Sequence, residues 1–156
     1  MKKLTLLFLL ITSFCFAQMP NISTIWLNNH KIYNGTIGAE KTKMKVMVNI
    51  SSQDVRNDQE YFIAGYTFVE KSTNNFEGKI KVTLYKNSKK GGKIFGEYTM
   101  LEEPKGNHSG TFTGKFIYTF KWNKKTQKVE SQYIEFVGDW ENYAKNLSFK
   151  TNWKNQ

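Results

Sequence analysis

Cysteine is almost missing: Cys15 is the only one in 156 residues, and it lies within the first seventeen. A chain that sheds those residues has no thiol, which excludes disulfide staples, thiolate metal sites and a cysteine nucleophile and leaves packing to hold the fold. Arg56 is the only arginine among 23 basic residues, His30 and His108 are the only histidines, and Pro20 and Pro104 are the only prolines. With one guanidinium the chain is poorly equipped for bidentate recognition of phosphates and bases, so nucleic acid is not an expected partner. The longest apolar stretch, Leu4 to Ile11, is too short to cross a bilayer as a helix, and no transmembrane segment is expected. Helix formers are scarce as well. Beyond residue 17 there are three Ala and four Leu against seven Val, ten Ile and 21 aromatic residues, a balance that favours strands.

The first seventeen residues have the shape of a Sec export signal: Lys2 and Lys3, an apolar run interrupted only by Thr5, and the small residue Ala17. Cleavage after Ala17 is expected, with the protein delivered to the periplasm or the outside. A lipoprotein is disfavoured because Phe14, not a small residue, precedes Cys15. Without Lys2 and Lys3 the chain keeps 21 bases against 13 acids, a formal charge of +8. The expected organisation is a signal over 1–17, a leader over 18–29 in which Trp26 docks, and one domain over 30–156.

Alternation identifies that domain as all-β. Met44, Val46, Val48 and Ile50 share one face opposite Lys43, Lys45, Met47 and Asn49, and Phe112, Gly114, Phe116, Tyr118, Phe120 and Trp122 share another. The pattern predicts eight strands near 30–37, 42–51, 60–70, 75–86, 93–101, 110–122, 128–140 and 146–154, joined by short turns. Sequential hairpins make an antiparallel up-and-down meander whose apolar face is hidden by closure into a small barrel, with a two-sheet sandwich as the alternative. Gly65, Gly78, Gly96, Gly114 and Gly138 fall inside strands beside aromatic residues, where they mark the sharp coiling of a small barrel.

Gly65-Tyr66-Thr67-Phe68-Val69-Glu70-Lys71, Phe76-Glu77-Gly78-Lys79-Ile80, Leu101-Glu102-Glu103, Gly110-Thr111-Phe112-Thr113-Gly114 and Gly138-Asp139-Trp140 together resemble a small exported domain of Bacteroidota with the ordered pattern GYYxY, GxI, LxE, GxFxG, GxW. The resemblance spans roughly Tyr33 to Trp153 and implies an architecture similar to the calycins, the lipocalin and avidin group. It implies no activity and no functional residue. Lipocalins carry their Gly-x-Trp on the first strand, whereas Gly138-Asp139-Trp140 stands near the C-terminus.

No catalytic residues are assigned. His108 and Ser109 are neighbours in a turn, where side chains diverge, and no Gly-x-Ser-x-Gly elbow is present. No metal or cofactor is expected: the two histidines are far apart, and the oxygen-rich loop of Asp54, Asn57, Asp58 and Glu60 lacks the glycine and terminal glutamate of a calcium loop. Glu102 and Glu103 point to opposite faces of a strand and make a poor acid/base pair. Glu135 and Asp139 can share a face, with Asp139 expected to cap a bend beside Trp140.

What remains is binding. Tyr118, Trp122, Trp140 and Trp153 are the candidate ligand residues, either as filling of the core or as the lining of an open end, since each pairs an apolar ring with a polar handle. Alternate turns of a meander fall at one end, which gathers Lys86, Lys89, Lys90 and Lys93 near Lys121, Lys124, Lys125 and Lys128 in a basic rim. The expected function is that of a monomeric, non-enzymatic, lipocalin-like binding protein for a small hydrophobic or anionic envelope ligand. The alternative is an inhibitor- or immunity-type module with a filled interior that binds an envelope protein or a glycan.

Overall fold

Each predicted alternation becomes a strand of a single sheet: β1 Tyr33–Ile37, β2 Thr42–Gln53, β3 Glu60–Val69, β4 Ser72–Ser88, β5 Gly91–Glu102, β6 Gly110–Asn123, β7 Lys128–Asn142 and β8 Ser148–Lys154. The computed structural model describes residues 19–88, 90–106, 108–126 and 128–155, so the export signal expected over 1–17 lies outside the described residues. Every strand pairs antiparallel with its sequence neighbour, and β1 pairs with β8 to close the barrel. Closure, and not a sandwich, solves the edge problem here, because every strand has a hydrogen-bonded neighbour on both sides.

The closing seam depends on Gly35. It sits opposite Trp153 of β8, and a Cβ at this position would stand 2.1 Å from the carbonyl oxygen of Asn152. A second glycine position explains the coiling of the opposite wall. Tyr98, Gly114, Gly138 and Thr151 lie in one row across β5 to β8, and the Tyr98 ring passes over Gly114, with Cε1 2.8 Å from where a Cβ would be. Bulges at Val48/Ile50 in β2–β3, Val82/Leu84 in β4–β5 and Lys121/Trp122 in β6–β7 add the remaining bends.

The middle of the barrel is solid. Trp153 and Phe136 stack with centroids 3.7 Å apart, and Tyr33 and Tyr98 each meet both rings edge-on. Burial of aromatic surface with this geometry is the main stabilising term available to a chain without disulfides. Outward positions carry Lys43, Lys45, Lys79, Lys81, Lys115 and Lys150, all exposed. Charge outside and aromatics inside is the reverse of a barrel whose outer wall faces lipid. Among the described residues no helix is long and apolar enough to cross a membrane.

One end is plugged. A single helical turn, α1 Ser23–Trp26, followed by the 3₁₀ turn Asn28–His30, inserts Trp26 edge-on between Tyr61 and Phe116, with no exposed surface left on the indole. The Tyr33 hydroxyl donates to the Trp26 carbonyl at 2.9 Å, the Met19 N–H donates to Asp58 Oδ2 at 2.6 Å, and Gln53 Nε2 donates to the Met19 carbonyl at 3.3 Å. The leader thus docks as its tryptophan implied. The strand expected from residue 30 starts at Tyr33, because Asn28, Asn29 and His30 all adopt positive φ of 48° to 59°, a left-handed turn that asparagine tolerates well. Asp139 forms an ion pair with Lys150, at 2.7 Å on the adjacent strand, in place of the expected cap.

Candidate functional site: the open end of the barrel

The end opposite the plug carries the β1–β2, β3–β4, β5–β6 and β7–β8 turns, and its floor is one row of inward side chains. Met100, Phe112, Trp140 and Phe149 are in register across β5 to β8. The Trp140 and Phe149 rings stack with centroids 5.8 Å apart and 13° between planes; Trp140 is buried, whereas Phe149 at the rim is 41 % exposed.

Two residues beyond Met100 on the same inward face, Glu102 is only 4 % exposed. Its carboxylate is held by three donors: Thr67 Oγ1 to Oε1 at 2.6 Å, Trp140 Nε1 to Oε2 at 2.9 Å and the Gly110 N–H to Oε2 at 3.1 Å. The Tyr143 hydroxyl donates to the Glu102 carbonyl. A carboxylate offers about four acceptor positions, so three donors leave one on Oε1 for a further partner. Glu103, facing outward, pairs with Lys105 at 2.9 Å, and this hydrogen bond and charge hold its carboxyl below the usual range. The two adjacent glutamates therefore face apart, as alternation requires.

Above this floor opens a cavity of about 590 Å³ bounded by Thr67, Glu102, Trp140 and Phe149, with Glu40, Glu70 and His108 also on its wall. Among the described residues no lysine or arginine lines it. It offers the exposed ring of Phe149 backed by the largely buried Trp140, one fixed carboxylate at the bottom and further carboxyl groups around the opening. Such a set suits hydrogen-bond donors and positive charge and repels anions. His108 faces this opening, whereas Ser109 is buried with its Oγ accepting the Lys105 N–H at 2.8 Å, so the two side chains diverge.

The four expected ligand residues share the inward face but not a height in the barrel. Only Trp140 reaches the mouth. Trp153 belongs to the solid centre, Tyr118 is buried towards the plugged end with its hydroxyl donating to Gln132 Oε1 at 3.0 Å, and Trp122 is 38 % exposed at the far tip of β6. The expected opening beside the lysines is closed by the leader, which moves the mouth to the other end. The lysines themselves do converge. Lys86 is opposite Lys93, Gly91 is opposite Lys121, the Trp122 N–H donates to the Lys90 carbonyl at 3.0 Å, and Lys124, Lys125 and Lys128 complete the neighbouring hairpin. Lys89 lies outside the described residues.

Glu102, Thr67 and Phe149 were missed as a constellation. One signal for the first was present: Ile94, Gly96, Tyr98, Met100 and Glu102 alternate along β5, which puts a carboxylate on the apolar parity of a strand. Comparison of the chain with family models, curated proteins and solved structures finds no match.

Proposed function

We propose that the protein is an exported, non-enzymatic binding protein that holds a small amphipathic ligand in the open end of its barrel. The observation that carries this reading is the buried Glu102 carboxylate, fixed by Thr67, Gly110 and Trp140 beneath an aromatic-walled cavity of about 590 Å³. A carboxylate buried at the base of an open pocket has already lost most of its hydration, so a ligand that brings a donor or a positive group to it gains a strong contact. The ligand class that fits is neutral or cationic, with an apolar flank to lie along Trp140 and Phe149. The anionic ligand suggested by the basic composition fits poorly, since Glu40, Glu70 and Glu102 all line this cavity. Because the polar groups of the floor are bound to one another, the site is suited to holding a ligand more than to transforming it. The export signal over 1–17 and the resemblance to an exported Bacteroidota domain support a place in the cell envelope.

The second reading, an inhibitor- or immunity-type module that binds an envelope protein or a glycan, draws support from the filled centre of the barrel. Native mass spectrometry of protein isolated from its own envelope separates the two. A small-molecule adduct that is lost in Glu102→Gln supports the mouth. A protein partner without any small adduct, together with unchanged partner binding in Glu102→Gln, supports the module.

A further inference from the structure

The plugged end has its own unused surface. The β4–β5 and β6–β7 hairpins extend past the core as neighbours, joined by the β5–β6 ladder up to Gly91 and Lys121. Residues 84–93 and 120–130 hold eight lysines and one acid, Glu130. The turns and flanks at the mouth end, by contrast, balance Glu40, Glu70, Glu103 and Glu141 against Lys41, Lys71, Lys105 and Lys145. The excess positive charge of the molecule is therefore concentrated on these two tips.

The tips are also greasy. Leu84 is 46 %, Tyr85 50 %, Trp122 38 % and Val129 43 % exposed, whereas Trp26, Trp140 and Trp153 are buried. Register places Trp122 opposite Val129 and Tyr85 opposite Ile94, so apolar side chains stand within the ring of lysines. Lysines that merely kept a hairpin soluble would have no need of an exposed indole beside them. Amphipathic rings settle at the headgroup level of a bilayer, and lysine, a mobile point charge, suits many diffuse anions in place of one shaped anion.

We infer that the tips of the β4–β5 and β6–β7 hairpins form a docking surface for an anionic lipid bilayer, with Trp122 and Tyr85 at the headgroups and the lysines on the acidic lipids. The mouth at the opposite end then faces away from the membrane and stays open.

The test uses the purified protein with vesicles of equal parts phosphatidylglycerol and phosphatidylcholine, against pure phosphatidylcholine. Sedimentation at low salt recovers the protein with the anionic vesicles only, and about 0.5 M salt releases much of it. Its tryptophan emission shifts to the blue on binding, and Trp122→Ser abolishes the shift. Replacing Lys86, Lys90, Lys121 and Lys125 by Ser weakens partition by roughly fivefold per lysine, while thermal unfolding stays near that of the parent. Equal binding to both vesicle types, no binding to anionic vesicles at low salt, or retention on soluble polygalacturonate without retention on vesicles overturns the inference. If the lysine variant does not fold, the emission shift of the parent and of Trp122→Ser decides.

Discussion

Trp140 and Glu102, thirty-eight residues apart, meet where the indole Nε1–H donates to the carboxylate Oε2 at 2.9 Å. This contact ties β7 to β5 at the floor of the mouth and orients both groups that the proposed ligand would touch, one as aromatic wall and the other as acceptor. Removing the acceptor should therefore cost more than removing its charge. In Glu102→Gln the amide oxygen can take the Gly110 and Trp140 donors while the Thr67 hydroxyl turns to accept from the new NH₂, so a stability loss within about 1 kcal/mol is expected. Glu102→Ala leaves the Trp140 and Gly110 donors without a partner and Thr67 with only its 3.5 Å contact to the Asn74 carbonyl, and should lose about 3 kcal/mol or more. Urea unfolding of the two variants measures the difference.

The seam of the barrel is predicted to have no room for a methyl group. Gly35→Ala drives a Cβ to 2.1 Å from the Asn152 carbonyl oxygen, backbone that cannot turn aside, and should cost about 3 kcal/mol or more. Gly106→Ala is the control. Its φ of +95° is unfavourable for alanine, but no atom lies within 4 Å of the added Cβ, and the expected cost is about 1–2 kcal/mol. Thermal melts of both proteins rank them.

Alkaline pH should weaken the fold through its buried tyrosines. Burial pushes the Tyr118 hydroxyl up to about 12, and burial together with Tyr118 raises that of Tyr33 still further. Unfolded tyrosine loses its proton near pH 10, whereas the folded chain keeps both. The unfolded state then binds fewer protons, so stability falls as pH rises above about 10. Denaturant unfolding between pH 9 and about 11 should show this slope. Tyr118→Phe, which cannot ionise, should reduce it.

The plug is predicted to stabilise the barrel without contributing to the mouth. Trp26→Ala removes a fully buried indole packed on Tyr61 and Phe116 and should lose about 3–5 kcal/mol. The Trp140 contact with Glu102, at the opposite end, should be unaffected. Melting temperature reports the first, and the indole N–H resonance of Trp140 reports the second.

Strand number, order and closure were legible because an inward residue announces itself by parity: Phe112, Phe116 and Tyr118 of β6 are buried as alternation requires. Depth along the barrel axis was not legible. Tyr118, Trp140 and Trp153 share the inner face, yet strand stagger puts one near the plug, one at the mouth and one in the centre, and stagger is set by bulges and cross-strand register. The same limit hid the site. Glu102 reads as half of an unsuitable carboxylate pair until the register of β5 with β6 and β7 brings Gly110 and Trp140 to it. The partnership of Asp139 with Lys150 likewise depends on the β7–β8 register and not on the neighbouring Trp140. The lysine tips were legible because turn order alone assigns them to one end.

The most direct test of the mouth is a titration followed on the four tryptophan indole N–H resonances by ¹H–¹⁵N NMR, with a panel of amphipathic amines, neutral glycosides and fatty acids. The account predicts that an amine or neutral amphiphile shifts the Trp140 resonance, that Trp26 and Trp153 stay still, and that Glu102→Gln abolishes the response to amines. A ligand that moves Trp26 or Trp153 while leaving Trp140 in place, or fatty acids binding as the best class, would contradict it.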